Sequence, residues 1–344
     1  MRVMHVMAGA EHGGAETFFH DAVSALDRQG LDQIIVTRPH HAGRLRGGRA
    51  AVYVAPFGRW LKMPTRHVLA HAFERHNPDI VQYWMGRAAS FAERRGAVNV
   101  GWFGGYYDLK RYRNCDWFVG VTQDIVEHVK RNVDDPARCR LIHTIAELDD
   151  APSASRKALD TPAEAPLLLA LARLHEKKGL DVLLDAMPDL AGAYLWIAGE
   201  GPLREQLEAQ AARLGVSGRV RFLGWRTDRA ALLRASDICV FPSRYEPFGT
   251  VMVEAWATGT PLVAAAAAGP RAYVKDGENG LLVPIDDPRA LALAVRRCMA
   301  DPLLRARLSE GGRESWRANF TEQTFVRTIT GFYDEVLSAR RGRS

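Results

Sequence analysis

Short apolar runs alternate with stretches of helical periodicity from the first residue onward. Arg2 to Met7 has the length and character of a buried strand, and the glycine-rich segment Gly9 to Gly14 follows it. Ala15, Phe18, Phe19, Ala22, Val23 and Leu26 then recur at helical spacing until Gly30 stops the pattern, predicting strand, loop and amphipathic helix in succession. Further strands are expected at Ile34 to Thr37, Ala51 to Ala55, Asp79 to Tyr83, Val98 to Phe103, Trp117 to Val121 and Arg140 to His143. Helical stretches lie between most of them. Strands that are apolar throughout are buried on both faces, so the pattern implies an α/β fold with a mostly parallel sheet covered by helices.

Between about Ala146 and Pro166 the periodicity fails, and the segment is rich in Ala, Pro, Ser and acidic residues, as an exposed linker would be. The alternation restarts with strands at Leu167 to Leu171, Tyr194 to Ala198, Val220 to Leu223, Ile238 to Phe241, Leu262 to Ala264 and Leu281 to Val283. The helices between them include Leu180 to Met187, Leu203 to Leu214 and Phe248 to Thr258. Two Rossmann-like domains in tandem are the expectation: residues 1–150, a linker at 151–165, and residues 166–318. A final helix at 319–344 carries an apolar stripe, Phe325, Ile329, Phe332 and Val336, whose partner the pattern does not identify.

The chain has 344 residues, 47% hydrophobic and 25% charged, which excludes a disordered chain or a small disulfide-stapled module. Four separated cysteines form no CxxC pair, so neither a disulfide framework nor a zinc site is indicated and a reducing cytoplasm is expected. No signal-peptide core or membrane-spanning run is evident. The net charge of +6 favours acidic partners, but no nucleic-acid recognition motif accompanies it. His67 and His71 have helical i, i+4 spacing without a third ligand, which suits a solvated face better than a metal site.

Candidate chemistry concentrates in residues 243–263. Pro247 suits the first turn of a helix, which places Glu246 at the helix mouth and leaves the amides of Phe248, Gly249 and Thr250 free to bind an anion. Gly249 has no side chain to obstruct a phosphate. Glu254, eight residues after Glu246, lies roughly 12 Å further along an ideal helix, so the two carboxylates can reach different ends of an extended ligand. An ordinary acidic helix start with a solvated Glu is the plain alternative. Arg173, at the end of a strand, and Lys178, just before a helix, both fall at a βα turn, where doubly wound sheets bind ligands. At an effective dielectric near 20, each cation is worth about 4 kcal/mol at 4 Å against a diphosphate before desolvation.

These residues, with RLHEKKGLD (173–181), IAGEGPL (197–203), RVRFLGW (219–225), the spacing of Glu246 and Glu254, and DGENGLLVP (276–284), resemble the family 4 glycosyltransferases. MAGAEHGGAETF (7–18) is a looser match to that family's glycine loop. The resemblance implies a GT-B fold with the active site in the cleft between two Rossmann-like domains, and a retaining, metal-independent hexosyltransferase without a cofactor. By position, Arg173 and Lys178 would bind the donor diphosphate together with the amides of Phe248, Gly249 and Thr250. Glu246 would bind the transferred sugar and Glu254 the ribose, Gly13 and Gly14 would complete the phosphate side, and the last helix would cross back onto the first domain. More distantly, the chain resembles bacterial members that build surface polysaccharide or lipopolysaccharide.

Two departures qualify the match. Phe103 stands where many relatives have a histidine near the reacting sugar, with Tyr106 or a backbone group as the replacement; and Ala268, Gly269, Pro270, Arg271 and Ala272 replace a Gly-Gly and Pro-Glu segment. The donor nucleotide, UDP or GDP, and the sugar stay open. Residues 33–73 contain no Asp or Glu but seven basic residues, Arg38, Arg44, Arg46, Arg49, Arg59, Lys62 and Arg66, with Phe57, Trp60 and Leu61 among them. Rings flanked by cations suit an anionic membrane surface. The expectation is a cytoplasmic enzyme docked on the inner face of the membrane, acting on a lipid-linked or lipopolysaccharide-core acceptor contacted by Tyr106, Tyr107 and Asp108. A soluble acceptor, another nucleotide-sugar enzyme such as an epimerase, and a binding protein on the same fold are the alternatives.

Overall fold

In the computed structural model, which describes residues 1–11, 13–45, 47–58 and 62–342, every strand read from the sequence forms within two residues of its expected bounds. Two units result, one of Met1–Ile145 with Thr321–Ser344 and one of Ala146–Phe320.

The first unit holds β1 (Arg2–Met7), β2 (Asp32–Thr37), β3 (Ala51–Val54), β4 (Ile80–Trp84), β5 (Val98–Phe103), β6 (Trp117–Gly120) and β7 (Cys139–Leu141) in one parallel sheet, ordered β3-β2-β1-β4-β5-β6-β7. The chain runs outward from β1 through β2 to β3, then returns to the other side of β1 as β4. The loops after β1 and β4 are therefore neighbours at a switch point, the place where open parallel sheets take ligands. The apolar stripe of the last helix, Glu322–Arg341, finds its partners in this unit. Phe325 meets Phe18 edge-on at 5.5 Å, and Phe18 in turn packs on Trp84 and Trp102. The Tyr333 hydroxyl donates to buried Gln82, and Arg28 and Arg140 pair with Glu322 and Glu335 along the same helix.

The second unit holds β8 (Leu167–Leu171), β9 (Tyr194–Ala198), β10 (Val220–Gly224), β11 (Ile238–Phe241), β12 (Leu262–Ala265) and β13 (Leu281–Val283), all parallel, ordered β10-β9-β8-β11-β12-β13. Its switch point lies between β8 and β11. The segment expected to be an exposed linker is instead tied to this unit. Arg156 donates to the carbonyls of Ala163, Ala165 and Ala235 and pairs with Asp237 at 3.0 Å, while Trp196 Nε1 donates to Thr161 Oγ1 at 2.8 Å. Irregular backbone leaves no periodic signature, yet one arginine with five donors is enough to pin it.

Candidate active site

At the second unit's switch point, three turns are pressed together closely enough to require glycine. A Cβ on Gly199 or Gly201 would fall 2.0 or 2.3 Å from the carbonyl oxygens of Ala172 and Leu174, so the turn after β9 lies directly on the turn after β8. Gly179, with φ of 62°, packs against the end of β11, where a Cβ would fall 2.1 Å from the Pro242 carbonyl oxygen. This packing fixes the backbone that carries Arg173 and Lys178. Arg173 is exposed and has no ion-pair partner among the described residues. Lys178 Nζ lies 2.5 Å from Glu246 Oε2, the two side chains being 26% and 14% exposed. The two predicted residues are thus brought together as a half-buried ion pair. Arg244, not singled out by the sequence, stabilises the β11 turn by pairing with Asp181 at 2.6 Å and Asp286 at 2.5 Å.

The helix after β11 starts later than expected, at Thr250, because Gly249 takes a left-handed φ of 100° and the Gly269 amide donates to the Glu246 carbonyl at 2.7 Å. Pro247 consequently precedes the helix and does not form its first turn. The amides of Phe248, Gly249 and Thr250 still donate to no backbone carbonyl among the described residues, and Lys178 reaches the same turn through Glu246. Such an end, with its dipole, favours an anion. The Ala268–Ala272 departure begins a short helix, Ala268–Tyr273, whose Gly269 lies against Phe248; a Cβ there would be 2.0 Å from the Phe248 carbonyl oxygen. Glu254 is 2% exposed and pairs with Arg229, whose side chain is 35% exposed. Arg229 therefore stands between Glu254 and the surface, a partner that the sequence pattern did not signal. The neighbouring Cys239 thiol is pushed up to about 12 by burial and by the Glu254 charge, so it is an inert core group.

In the first unit, Gly13 precedes a helix spanning Gly14–Arg28 in extended backbone, and Glu16 turns back from its first turn. Glu16 Oε1 accepts from the Ala10 amide at 2.9 Å, and Cβ atoms on Gly9 or Gly13 would lie 2.5 or 2.3 Å from its oxygens. The glycine loop is wrapped around the chain's own carboxylate, a feature the glycine spacing alone did not signal. Beside it a cavity of about 520 Å³ opens at the switch point between β1 and β4. Tyr106, Tyr107 and Asp108 line it together with Gly9 and Glu16, so the predicted acceptor residues and the glycine loop share one cavity. The Tyr106 hydroxyl donates to Asp124, and Asp108 Oδ1 accepts from the Lys110 amide at 3.0 Å. Phe103 is fully buried and stacked on Tyr112 at 4.0 Å, which makes it a core ring and not a substrate contact.

The basic stretch is only partly as expected. Phe57 is 1% exposed, meets Phe91 edge-on at 5.5 Å and has its amide bonded to Thr65 Oγ1, so this ring is not available to a lipid surface. Arg46, Arg59, Trp60 and Leu61 lie outside the described residues. Among the described residues, no cluster of three or more His, Cys, Asp or Glu side chains could hold a metal ion, and no helix is long and apolar enough to cross a membrane.

Comparison with known proteins shows the family and the fold. Residues 153–315 match the family model described as glycosyl transferases group 1. The chain is 35% identical over 347 aligned residues to the lipopolysaccharide core biosynthesis glycosyltransferase LpsE of Rhizobium meliloti, covering 99% of this chain and 100% of that one. Among solved structures, a glycosyltransferase from Rickettsia africae superposes with a TM-score of 0.86 at 20% identity over 98% of both chains. Alr3699/HepE of Anabaena, solved with UDP and glucose, gives 0.81 at 21% identity over 97% of this chain and 99% of that one. Both share the fold, two Rossmann-like units of the GT-B kind.

Proposed function

The chain belongs to the group 1 glycosyltransferases, enzymes that move a sugar from a nucleoside-diphosphate donor to an acceptor, and from that premise we propose a retaining transfer to a lipid-linked or lipopolysaccharide-core saccharide. The observation that carries the donor side is the Lys178–Glu246 ion pair at the β8/β11 switch point, on the turn that leads to the unpaired amides of Phe248, Gly249 and Thr250, with Arg173 exposed in the turn after β8. Two cations and a helix end supply charge where a diphosphate leaves, which is transition-state stabilisation built from the chain's own groups. Glu246 then turns to the transferred sugar, and Arg229, oriented by Glu254, to the nucleoside end. In the step itself the bond from the anomeric carbon to the diphosphate oxygen breaks with its electron pair on oxygen. The acceptor oxygen bonds the same carbon from the same face, and its proton passes to the departing diphosphate.

The acceptor class rests on the full-length relative named for lipopolysaccharide core biosynthesis, and on the tyrosine-lined cavity beside the glycine loop. Acting on such acceptors, the enzyme works at the inner face of the cytoplasmic membrane, where Arg44 and Arg49, exposed cations of the basic stretch that line neither cavity, meet anionic lipid. The test is a panel of UDP- and GDP-sugars, with and without lipopolysaccharide-core or lipid-linked saccharides. Release of nucleoside diphosphate that needs such an acceptor, with the anomeric configuration kept by NMR, is the expected result. Turnover on soluble sugars alone removes the acceptor assignment, and an inverted product removes the retaining one.

A further inference from the structure

A second cavity of about 660 Å³ adjoins the one beside the glycine loop, and Arg87 and Arg111 line both. Each is within the size range of small-molecule sites, about 300–1,000 Å³. Together their walls carry seven basic and three acidic side chains. The acids are already engaged: Glu16 with the Ala10 amide, Asp108 with the Lys110 amide, and Glu93 with Arg66 and Arg95. Arg87, Lys110, Arg111 and Arg113, by contrast, have no carboxylate within ion-pair distance among the described residues. Among the described residues, the Arg38 side chain reaches only the Phe57 carbonyl, at 3.3 Å, and its Nε is buried without a hydrogen-bond partner. Burial and the Arg87 charge both lower the Arg38 pKa, a sign that like charges are crowded here without compensation. Arginine is the side chain that grips phosphate or carboxylate with two parallel hydrogen bonds.

We infer that this trough is an acceptor subsite for an anionic saccharide, whose phosphate or carboxylate groups are held by Arg38, Arg87, Arg111 and Arg113. Its reacting hydroxyl is presented at the glycine-loop end, beside Tyr106 and Tyr107. The inference rests on the transferase reading and adds to it what the acceptor must carry. Concavity favours a saccharide over a lipid surface: the cations line two cavities instead of a convex face, and Phe57, the described ring nearest a membrane role, is packed inward.

The experiment uses the full chain with mannose 6-phosphate and glucuronic acid as anionic probes and mannose and glucose as neutral ones, by calorimetry at low salt. Binding of the anionic sugars at least tenfold tighter than the neutral ones is expected, equivalent to about 1.4 kcal/mol, and added salt should erode the difference. The variant is Arg87→Gln with Arg111→Gln. Both side chains are exposed, and glutamine keeps a carbon at the Cδ position that Arg111 places over Gly86, so the fold should be retained. It should lose the anionic preference while binding UDP and GDP as the parent does. Equal affinity for charged and neutral sugars in the parent overturns the subsite. So does a parallel loss of UDP and GDP binding in the variant, which would give these cations to the donor, or a preference for phosphatidylglycerol vesicles without one for sugar anions. Absence of turnover with every nucleotide sugar would instead strike the transferase reading, and leaves the sugar-anion preference standing as the separate measure of the trough.

Discussion

Replacing Glu246 by Gln should make free nucleoside diphosphate bind more tightly while it slows sugar transfer. The reasoning starts from the ion pair: Lys178 Nζ is 2.5 Å from Glu246 Oε2, and both side chains are partly buried. A diphosphate that recruits Lys178 must compete with a carboxylate already there. At an effective dielectric near 20 the Coulomb attraction of such a pair is about 4 kcal/mol at 4 Å, but desolvation and residual water reduce the net value of a partly buried pair to about 1 kcal/mol. Glu246→Gln therefore should raise UDP or GDP affinity by about three- to tenfold, since 1.4 kcal/mol is a factor of ten. Lys178→Met should do the opposite, weakening nucleotide binding at least tenfold. It should also cost about 1–2 kcal/mol of stability, because Glu246 loses its counter-charge in a poorly solvated turn. Calorimetry with each nucleotide, urea unfolding and steady-state turnover give the three numbers. Weaker nucleotide binding in Glu246→Gln would refute the reasoning, since the carboxylate would then be holding the nucleotide and not competing with it.

Other consequences are equally measurable. Gly179→Ala should lower the urea midpoint far more than Gly215→Ala. Both have left-handed φ, but a Cβ at Gly179 meets the Pro242 oxygen at 2.1 Å while one at Gly215 meets nothing within 4 Å; equal losses would deny the close approach. Stability should fall on acidification from about pH 6.5 toward 4. Burial pushes His5 down to about 3, and burial with the His41 and Arg44 charges pushes His20 down to about 4, so in this window the unfolded chain binds protons that the fold excludes. Each excluded proton contributes a slope of about 1.4 kcal/mol per pH unit, and His20→Asn should make urea titrations shallower by about one proton; an unchanged slope would remove His20 from the account. Co-sedimentation should show more protein on phosphatidylglycerol than on phosphatidylcholine vesicles at low salt, and no difference would remove the membrane docking of the basic stretch.

The strands were legible because each is an apolar run bounded by polar turns, and residues such as Leu167, Leu168 and Leu169 are buried so completely that nothing else could stand there. The order of the strands was not legible in the same way. It follows from parallel pairing and crossover rules, which a period cannot express. Side-chain chemistry was visible where a residue type is unusual for its place, as with Lys178 and Glu246 at loop positions. It was hidden where the partner is far along the chain: Glu254 signalled itself, but Arg229, twenty-five residues earlier, looked like any surface cation. Glycines carried more information than their spacing gave. Gly199 and Gly201 entered only as letters of a motif and Gly269 as a departure from one, whereas each marks a backbone carbonyl within about 2 Å of where a side chain would begin.

Charge shows the same division between composition and geometry. The acid-free stretch from Gln33 to Phe73 was conspicuous as a run, and it pointed outward to a membrane. Arg87, Lys110, Arg111 and Arg113 were inconspicuous, because they come from two separate segments, the end of β4 and the turn after β5. Folding brings these to the same side of the sheet as Arg38 and Lys62 and leaves all six lining two adjoining cavities. A positive field confined to a cavity selects by shape as well as by sign, whereas a positive run on a loop selects by sign alone. The residues that decide which acceptor is accepted are therefore expected to be those that no single stretch of sequence displays.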